Sequence, residues 1–259
     1  MSHIPPSTPT DIVFIDTLHL NANVGPDCWG KARAQPVNVS VYLHLTPGFL
    51  KTAGESDGVE DSVHYGLLTK KVAALVKNSD GSEREFGGVD ELVRCVAEEA
   101  FALGGAAVGS VRVVVELPKV VLLAGGGLTV DVEVVREGRF ERKRVEVRGV
   151  VVPVVIGVNP PERLAKQRVV VDLVFYEGDG EGKTVSMVGY QGVVEALCKD
   201  MEASSYLTLE AFVHDLSRTV FKASSQIEAV TIRARKPSAL SFAEYSGVEV
   251  TRRRTDYGL

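Results

Sequence analysis

The sequence predicts an α+β protein built from two tandem repeats, each a four-stranded antiparallel sheet with two helices on one face. Two observations carry this. Gly25 and Gln35 recur as Gly157 and Gln167, both 132 positions on, and Glu91 and Leu117 recur as Glu210 and Lys236, both 119 positions on. An offset that holds within a block and changes between blocks marks a duplication with shortened connections. The second observation is the order of patterns, strand, strand, helix, helix, strand, strand, which runs through twice.

The first repeat covers residues 11–136. It opens with a strand-like Ile12–Leu20, the polar loop Gly25–Gln35 and the alternating strand Val37–Leu45. Tyr65–Lys77 reads as a helix, with Leu68, Val72, Leu75 and Val76 on one face. A second helix follows Gly87–Gly88 and carries Leu92, Val96, Ala100 and Leu103, and Val111–Val115 and Val130–Val135 close the repeat. A short charged linker, Glu137–Arg144, leads to the second repeat, residues 145–254, and argues against a flexible tether. That repeat has strands Val145–Val155, Arg168–Tyr176, Ala229–Arg235 and Val248–Arg252, with helices over Tyr190–Met201 and Leu207–Phe221. Val-rich strand edges favour lateral association, because joining sheets edge to edge into a ring-like β-barrel oligomer leaves no edge exposed.

Bulk properties narrow the function classes. The 259 residues are 45% hydrophobic and 24% charged, as in a globular protein, and long enough for a core in each repeat. A net charge of −5 argues against a nucleic-acid or anionic-membrane partner. No apolar run reaches the roughly 18 residues of a membrane span. Cys28, Cys95 and Cys198 are odd in number and widely spaced, which suggests neither a disulfide framework nor a zinc site. Met1–Thr10, with Pro5, Pro6 and Pro9 and no Lys or Arg, reads as neither signal nor transit peptide, so a reducing cytoplasm is expected.

Four polar residues of the second repeat stand where packing does not need them. They are Glu162 in the loop Ile156–Gln167, Tyr190 at a helix start, Glu210 in the first turn of the next helix, and Lys236 before Pro237. Singly each has a bland explanation: a solvated loop, a packed ring, a carboxylate answering the helix dipole, an exposed strand end. As an ordered set, Ile156-Gly157-Val158, Glu162, Gln167, Tyr190, Leu209-Glu210 and Lys236-Pro237 resemble the dihydroneopterin aldolase family of folate biosynthesis. The first repeat shows the same series as Val24-Gly25, Trp29, Gln35, Asp61-Ser62-Val63-His64-Tyr65 and Glu91, and tandem repeats look like the fungal arrangement.

The resemblance implies tunnelling-fold domains, a retro-aldol reaction without metal or other cofactor, a small-molecule pterin substrate and self-association. Other folate-pathway enzymes stand only as candidate partners, since the sequence carries no sign of whether they bind. The resemblance further implies a pocket between neighbouring domains, with the tyrosine supplied by the neighbour. Glu210, next to Leu209, would hold the pterin's amino-pyrimidinone edge, Lys236 would be the general base, Tyr65 would move the proton on the intermediate, and Glu162 would organise the lysine; Asp61, Val63 and Tyr190 complete the implied contacts.

The repeats differ where it matters. Gly30 stands at the position of Glu162 and Leu117 at that of Lys236, so the first repeat lacks the groups for a site of its own. The second repeat in turn has Val185-Ser186-Met187-Val188-Gly189 where the first has the Asp61–Val63 lead. The expectation is therefore one complete pocket per chain, from Glu162, Glu210 and Lys236 of the second repeat with Asp61–Tyr65 of the first. An inactive pterin-binding or scaffold protein is the alternative. A zinc-dependent pterin synthase of the same fold would need clustered ligands, whereas His3, His19, His44, His64 and His214 are scattered.

Overall fold

The computed structural model describes residues 11–178 and 187–259, with the backbone alone for Met187 and Val188. The proline-containing start and the Val185–Ser186 part of the second tyrosine lead lie outside the described residues. Contacts divide the chain into two units. Unit 1 holds the described residues of Met1–Gly25 with Ala32–Glu116 and Val130–Lys143; unit 2 holds Pro26–Lys31, Leu117–Thr129 and the described residues of Arg144–Leu259.

In unit 1 the elements are β1 (Ile12–Ala22), β2 (Gln35–Leu45), α1 (Leu50–Ser56), α2 (Tyr65–Ala74), α3 (Val89–Gly104), β3 (Val108–Leu117) and β4 (Leu128–Val135). Strand order is β1-β2-β3-β4. Antiparallel register sets Val13 against Leu43 and Val41 against Val113. The strict alternation of β2 puts Val37, Val39, Val41, Leu43 and Leu45 in the core. Leu68 and Val72 of α2 and Leu92, Val96 and Ala100 of α3 are among the buried helix positions, at the spacing read from sequence, whereas Leu75 and Val76 lie past the end of α2 and Leu103 is only half-buried. Only the short α1 escapes that reading, and it buries no residue.

The charged stretch Glu137–Arg144 is not a linker throughout. Its first residues form a turn at Gly138, closed by Val135 N–H donating to Arg139 O (3.1 Å), and Phe140 already begins β5 (Phe140–Ile156). The charges are compatible with a strand because they find partners. Lys143 Nζ lies 2.9 Å from Asp90 Oδ2, and the Arg94 guanidinium sits 4.3 Å from the centre of the Phe140 ring.

Unit 2 continues β5 with α4 (Pro160–Leu164), β6 (Gln167–Glu177), α5 (Met187–Ala203), β7 (Ser205–Tyr206), α6 (Leu209–Ala223), β8 (Ile227–Lys236) and β9 (Ser246–Arg253). The order is β5-β6-β8-β9, with β7 pairing in parallel with the end of β5. Phe212, Val213, Leu216, Val220 and Phe221 are the buried face of α6, and Val193, Leu197 and Met201 that of α5. The buried Ser217 hydroxyl donates to Val213 O (2.8 Å), which removes the cost of an unpaired polar group. No helix among the described residues is long and apolar enough to cross a membrane.

Candidate active site

At one end of unit 2, the last residues of β5 and β8 meet the first turn of α6. They enclose a cavity of about 340 Å³ lined by Gly157, Glu162, Leu207, Leu209, Glu210 and Lys236, among others. Three of the polar residues singled out in the sequence are thus brought together across 74 positions of chain.

Glu162 is not in an irregular loop. Asn159-Pro160-Pro161-Glu162 starts the short helix α4, with proline in the first turn and Glu162 at the third position. There its Oε2 accepts the Asn159 N–H (3.0 Å), the reciprocal half of a capping box. An Asn followed three residues on by Glu, with prolines between, was the sequence signal for this helix. The other oxygen, Oε1, accepts from Lys236 Nζ (2.7 Å) and Gln167 Nε2 (3.3 Å), and Gln167 also donates to Ile156 O (2.6 Å). The Lys236 ammonium, followed by the Asn159 N–H, holds the Glu162 carboxyl down to about 2 against the opposing effect of desolvation. Glu162 is therefore a fixed anion near neutrality, held against the Lys236 ammonium.

Gly157 makes this arrangement possible. Its φ is +132°, and a Cβ there would lie 2.2 Å from the Glu162 carboxyl carbon. Gly157→Ala is expected to push that carboxylate off Lys236 and to lower activity as far as Glu162→Gln does. An alanine variant with wild-type kcat would show that the contact is dispensable. In the first repeat Gly25 keeps a positive φ of 109°, and Gln35 Nε2 still donates to Gly25 O (3.2 Å), yet a Cβ at Gly25 would meet nothing. The scaffold of the loop was retained and the carboxylate was not.

Glu210 sits at the second position of α6, after Thr208, whose hydroxyl accepts the Ala211 N–H (3.3 Å). Its side chain is exposed and makes no hydrogen bond or ion pair with a described residue. A free carboxylate beside the unpaired N–H groups of a helix start suits a ligand edge carrying adjacent donors and an acceptor. The site's outer wall is tied down by Arg163, which donates to Tyr206 O (2.8 Å) and Ser205 O (3.0 Å), and by Tyr206 O–H on Asp215 (2.6 Å).

The first-repeat counterparts are differently engaged. In unit 1 the Glu91 carboxylate accepts the Gly87 N–H (2.7 Å) and pairs with Arg84 (3.3 Å). In unit 2 Gly30 closes a turn on Asp27, and Leu117 is buried. Asp61, Val63 and Tyr65 belong to unit 1. Asp61 accepts from Ser56 Oγ (2.5 Å), Val63 is buried, and Tyr65 stands exposed at the first position of α2. The cavity beside Lys236 has no described lining residue from unit 1.

Tyr190 departs from the expectation of a substrate contact. α5 begins at Met187, so Tyr190 falls on the same inward face as Val193 and Leu197 and is fully buried. Its ring packs on Phe175 at 5.3 Å between centroids, and its hydroxyl donates to Glu177 (2.5 Å). That burial leaves no surface for a ligand, and the residue is structural.

Fold and site define the class: tandem tunnelling-fold α+β units, one of which presents a lysine–glutamate pair and a free helix-terminal carboxylate to a single cavity. The family model described as FolB: Dihydroneopterin aldolase matches residues 13–135 and again 145–251, and the chain belongs to that family. It is 30% identical over 246 residues to the Folic acid synthesis protein fol1 of Schizosaccharomyces pombe, covering 95% of this chain and 31% of that protein. With the protein of the same name from Pneumocystis carinii it shares 27% identity over 254 residues, 95% of this chain and 32% of the other. The chain thus spans about a third of the length of these curated relatives. The crystal structure of uricase from Arthrobacter globiformis, 13% identical with a TM-score of 0.66, covers 97% of this chain and 96% of its own, a likeness of fold alone.

Proposed function

We propose that the chain cleaves 7,8-dihydroneopterin by a retro-aldol reaction to 6-hydroxymethyl-7,8-dihydropterin and glycolaldehyde, a step of folate biosynthesis. The single observation that carries this is the Lys236–Glu162 pair facing the same cavity as the unpaired Glu210 carboxylate. Glu210 accepts the N–H groups of the amino-pyrimidinone edge and fixes the ring, which supplies the orientation the reaction needs. Lys236 removes the proton of the side-chain hydroxyl, directly or through water. The carbon–carbon bond then breaks, its electron pair passes into the dihydropterin ring, and glycolaldehyde leaves. Tyr65 returns a proton to the remaining side-chain carbon. The ring itself accepts the electrons, so the scheme requires neither metal nor Schiff base.

The domains in this reading are residues 11–136, with a degenerate site, and 145–254, which carry the catalytic groups. They act in a cytoplasmic, ring-like homo-oligomer. Incubating the purified chain with dihydroneopterin and following both products tests the proposal. Pterin binding without turnover would instead favour the inactive scaffold.

A pH dependence follows from Glu162. Its carboxyl lies at about 2 in the folded chain against an ordinary 4.5, so the ion pair stabilises fully above pH 4.5 and loses its contribution as pH falls through about 2. The melting-temperature advantage of the wild type over Glu162→Gln should be constant above that range and fade below it. An advantage that grows on acidification would contradict the pairing.

A further inference from the structure

Arg163 directly follows the carboxylate that pairs with Lys236, and its guanidinium ties two walls of the cavity together. Nη1 donates to Tyr206 O (2.8 Å) and to Gly157 O (3.4 Å), and Nη2 donates to Ser205 O (3.0 Å) and the Ser205 hydroxyl. Gly157 belongs to the wall that carries Glu162. Ser205 and Tyr206 form β7, which runs through Leu207 and Thr208 into α6 and Glu210. On its far side β7 is pinned to α6 by Tyr206 O–H on Asp215 Oδ2 (2.6 Å), so the tie is continuous from α4 to α6.

The backbone alone holds these walls lightly. In β7, Ser205 pairs with Val155 and Tyr206 with Ile156, in parallel, and the Gly157 N–H donates to Tyr206 O at 3.3 Å. A parallel ladder of two residues contributes little by itself. A guanidinium presents its donors in a rigid planar fork, which fixes direction as well as distance between the three carbonyls. The first repeat makes the same approach without the fork. In unit 1 a single parallel bridge joins Asn23 to Glu85, and Phe86 N–H donates to Asn23 O (2.9 Å). The residue 132 positions before Arg163 is Lys31, which is exposed. The backbone approach therefore forms without a guanidinium, and the fork accompanies the working pair.

We propose that Arg163 is a positioning residue for the reaction. By clasping Gly157, Ser205 and Tyr206 it sets the separation between the Glu162–Lys236 pair and the Glu210 carboxylate. A substrate whose ring is held at Glu210 then presents its side-chain hydroxyl to Lys236. The donors of Arg163 are spent on backbone oxygens, so it acts through those carbonyls and not on the substrate. This role rests on the proposed aldolase reaction. Losing the clasp leaves the chemistry of Lys236 and of Glu210 in place and removes only their mutual alignment, where a misplacement of about 1 Å can cost about 10²-fold in rate. The signature is a split: kcat falls while the hold on the ring does not.

The test uses Arg163→Lys and Arg163→Ala in the full chain, assayed well below their melting temperatures. Lysine keeps the stem and the charge, but one ammonium cannot serve three carbonyls in fixed directions. Both variants should lose about 10–10²-fold in kcat for dihydroneopterin, with Kd for a pterin lacking the side chain unchanged. Hydrogen exchange at the Gly157 amide and in the first turn of α6 should quicken in both. Unchanged kcat in folded Arg163→Lys would overturn the proposal. So would kcat and affinity falling together with the folded fraction, which is what a purely structural arginine would give. If the wild type itself turns over no dihydroneopterin, the proposed reaction fails on that result alone. Exchange then judges the clasp separately, and exchange unaltered in both variants would show that Arg163 does not hold the walls.

Discussion

Lys236→Ala is expected to lower kcat for dihydroneopterin cleavage by about 10²–10⁴-fold, the range a positioned general base contributes, while the chain stays folded. Lys236 is the last residue of β8, and its amine reaches the cavity rather than the core, so truncation removes the base without opening a void among the buried residues. Its partner would remain capped, since Glu162 still accepts from Asn159 and Gln167. The first repeat cannot compensate, because the matching position is the buried Leu117. Unimpaired kcat in a folded Lys236→Ala chain would remove the base from the account.

The second large effect concerns affinity. Glu210→Gln is expected to weaken pterin binding by about 1.5–3 kcal/mol, roughly 10–150-fold in Kd, the worth of a charge-assisted hydrogen-bond pair. Glu91→Gln should leave affinity unchanged, although the two glutamates match in the repeat and both lie in the first turn of a helix. The difference is local: Glu91 already answers Gly87 and Arg84, whereas Glu210 has no partner among the described residues. Titration of each variant with a non-cleavable pterin checks this. Equal losses would mean that both sites bind.

The fold was legible because its signals are local. Alternation along Val37–Leu45 and the spacing of Leu92, Val96 and Ala100 gave strands and helices to within a few residues, and the fixed offsets gave the duplication. The coming together of Glu162, Glu210 and Lys236 was legible only as an ordered motif, since the contact between Glu162 and Lys236 spans 74 positions. What was missed depends on tertiary partners. Phe140–Arg144 looked like solvated linker because Asp90 and Arg94, which receive Lys143 and Phe140, lie some fifty residues away. Tyr190 looked available for substrate because a helix start carries no mark of which face is covered, and its partner Glu177 lies at the end of β6. The capping box Asn159–Glu162, by contrast, is a local signal carried by the sequence itself.

Tyr190 is buried and Tyr65 is exposed at the first position of α2, so Tyr65 is the tyrosine proposed for proton transfer. In the proposed reaction Lys236 and Tyr65 act in one site, supplied either by one chain or by two. Co-expressing differently tagged Lys236→Ala and Tyr65→Phe chains, each impaired alone, and purifying the mixed oligomer tests this most directly. Where one site takes its lysine and its tyrosine from different chains, equal amounts put an intact lysine beside an intact tyrosine in about a quarter of the sites, and turnover should recover to about that fraction of wild type. Mixed oligomers no more active than the better of the two variants would show that each chain builds its site alone, and a Tyr65→Phe chain unimpaired on its own would contradict the account.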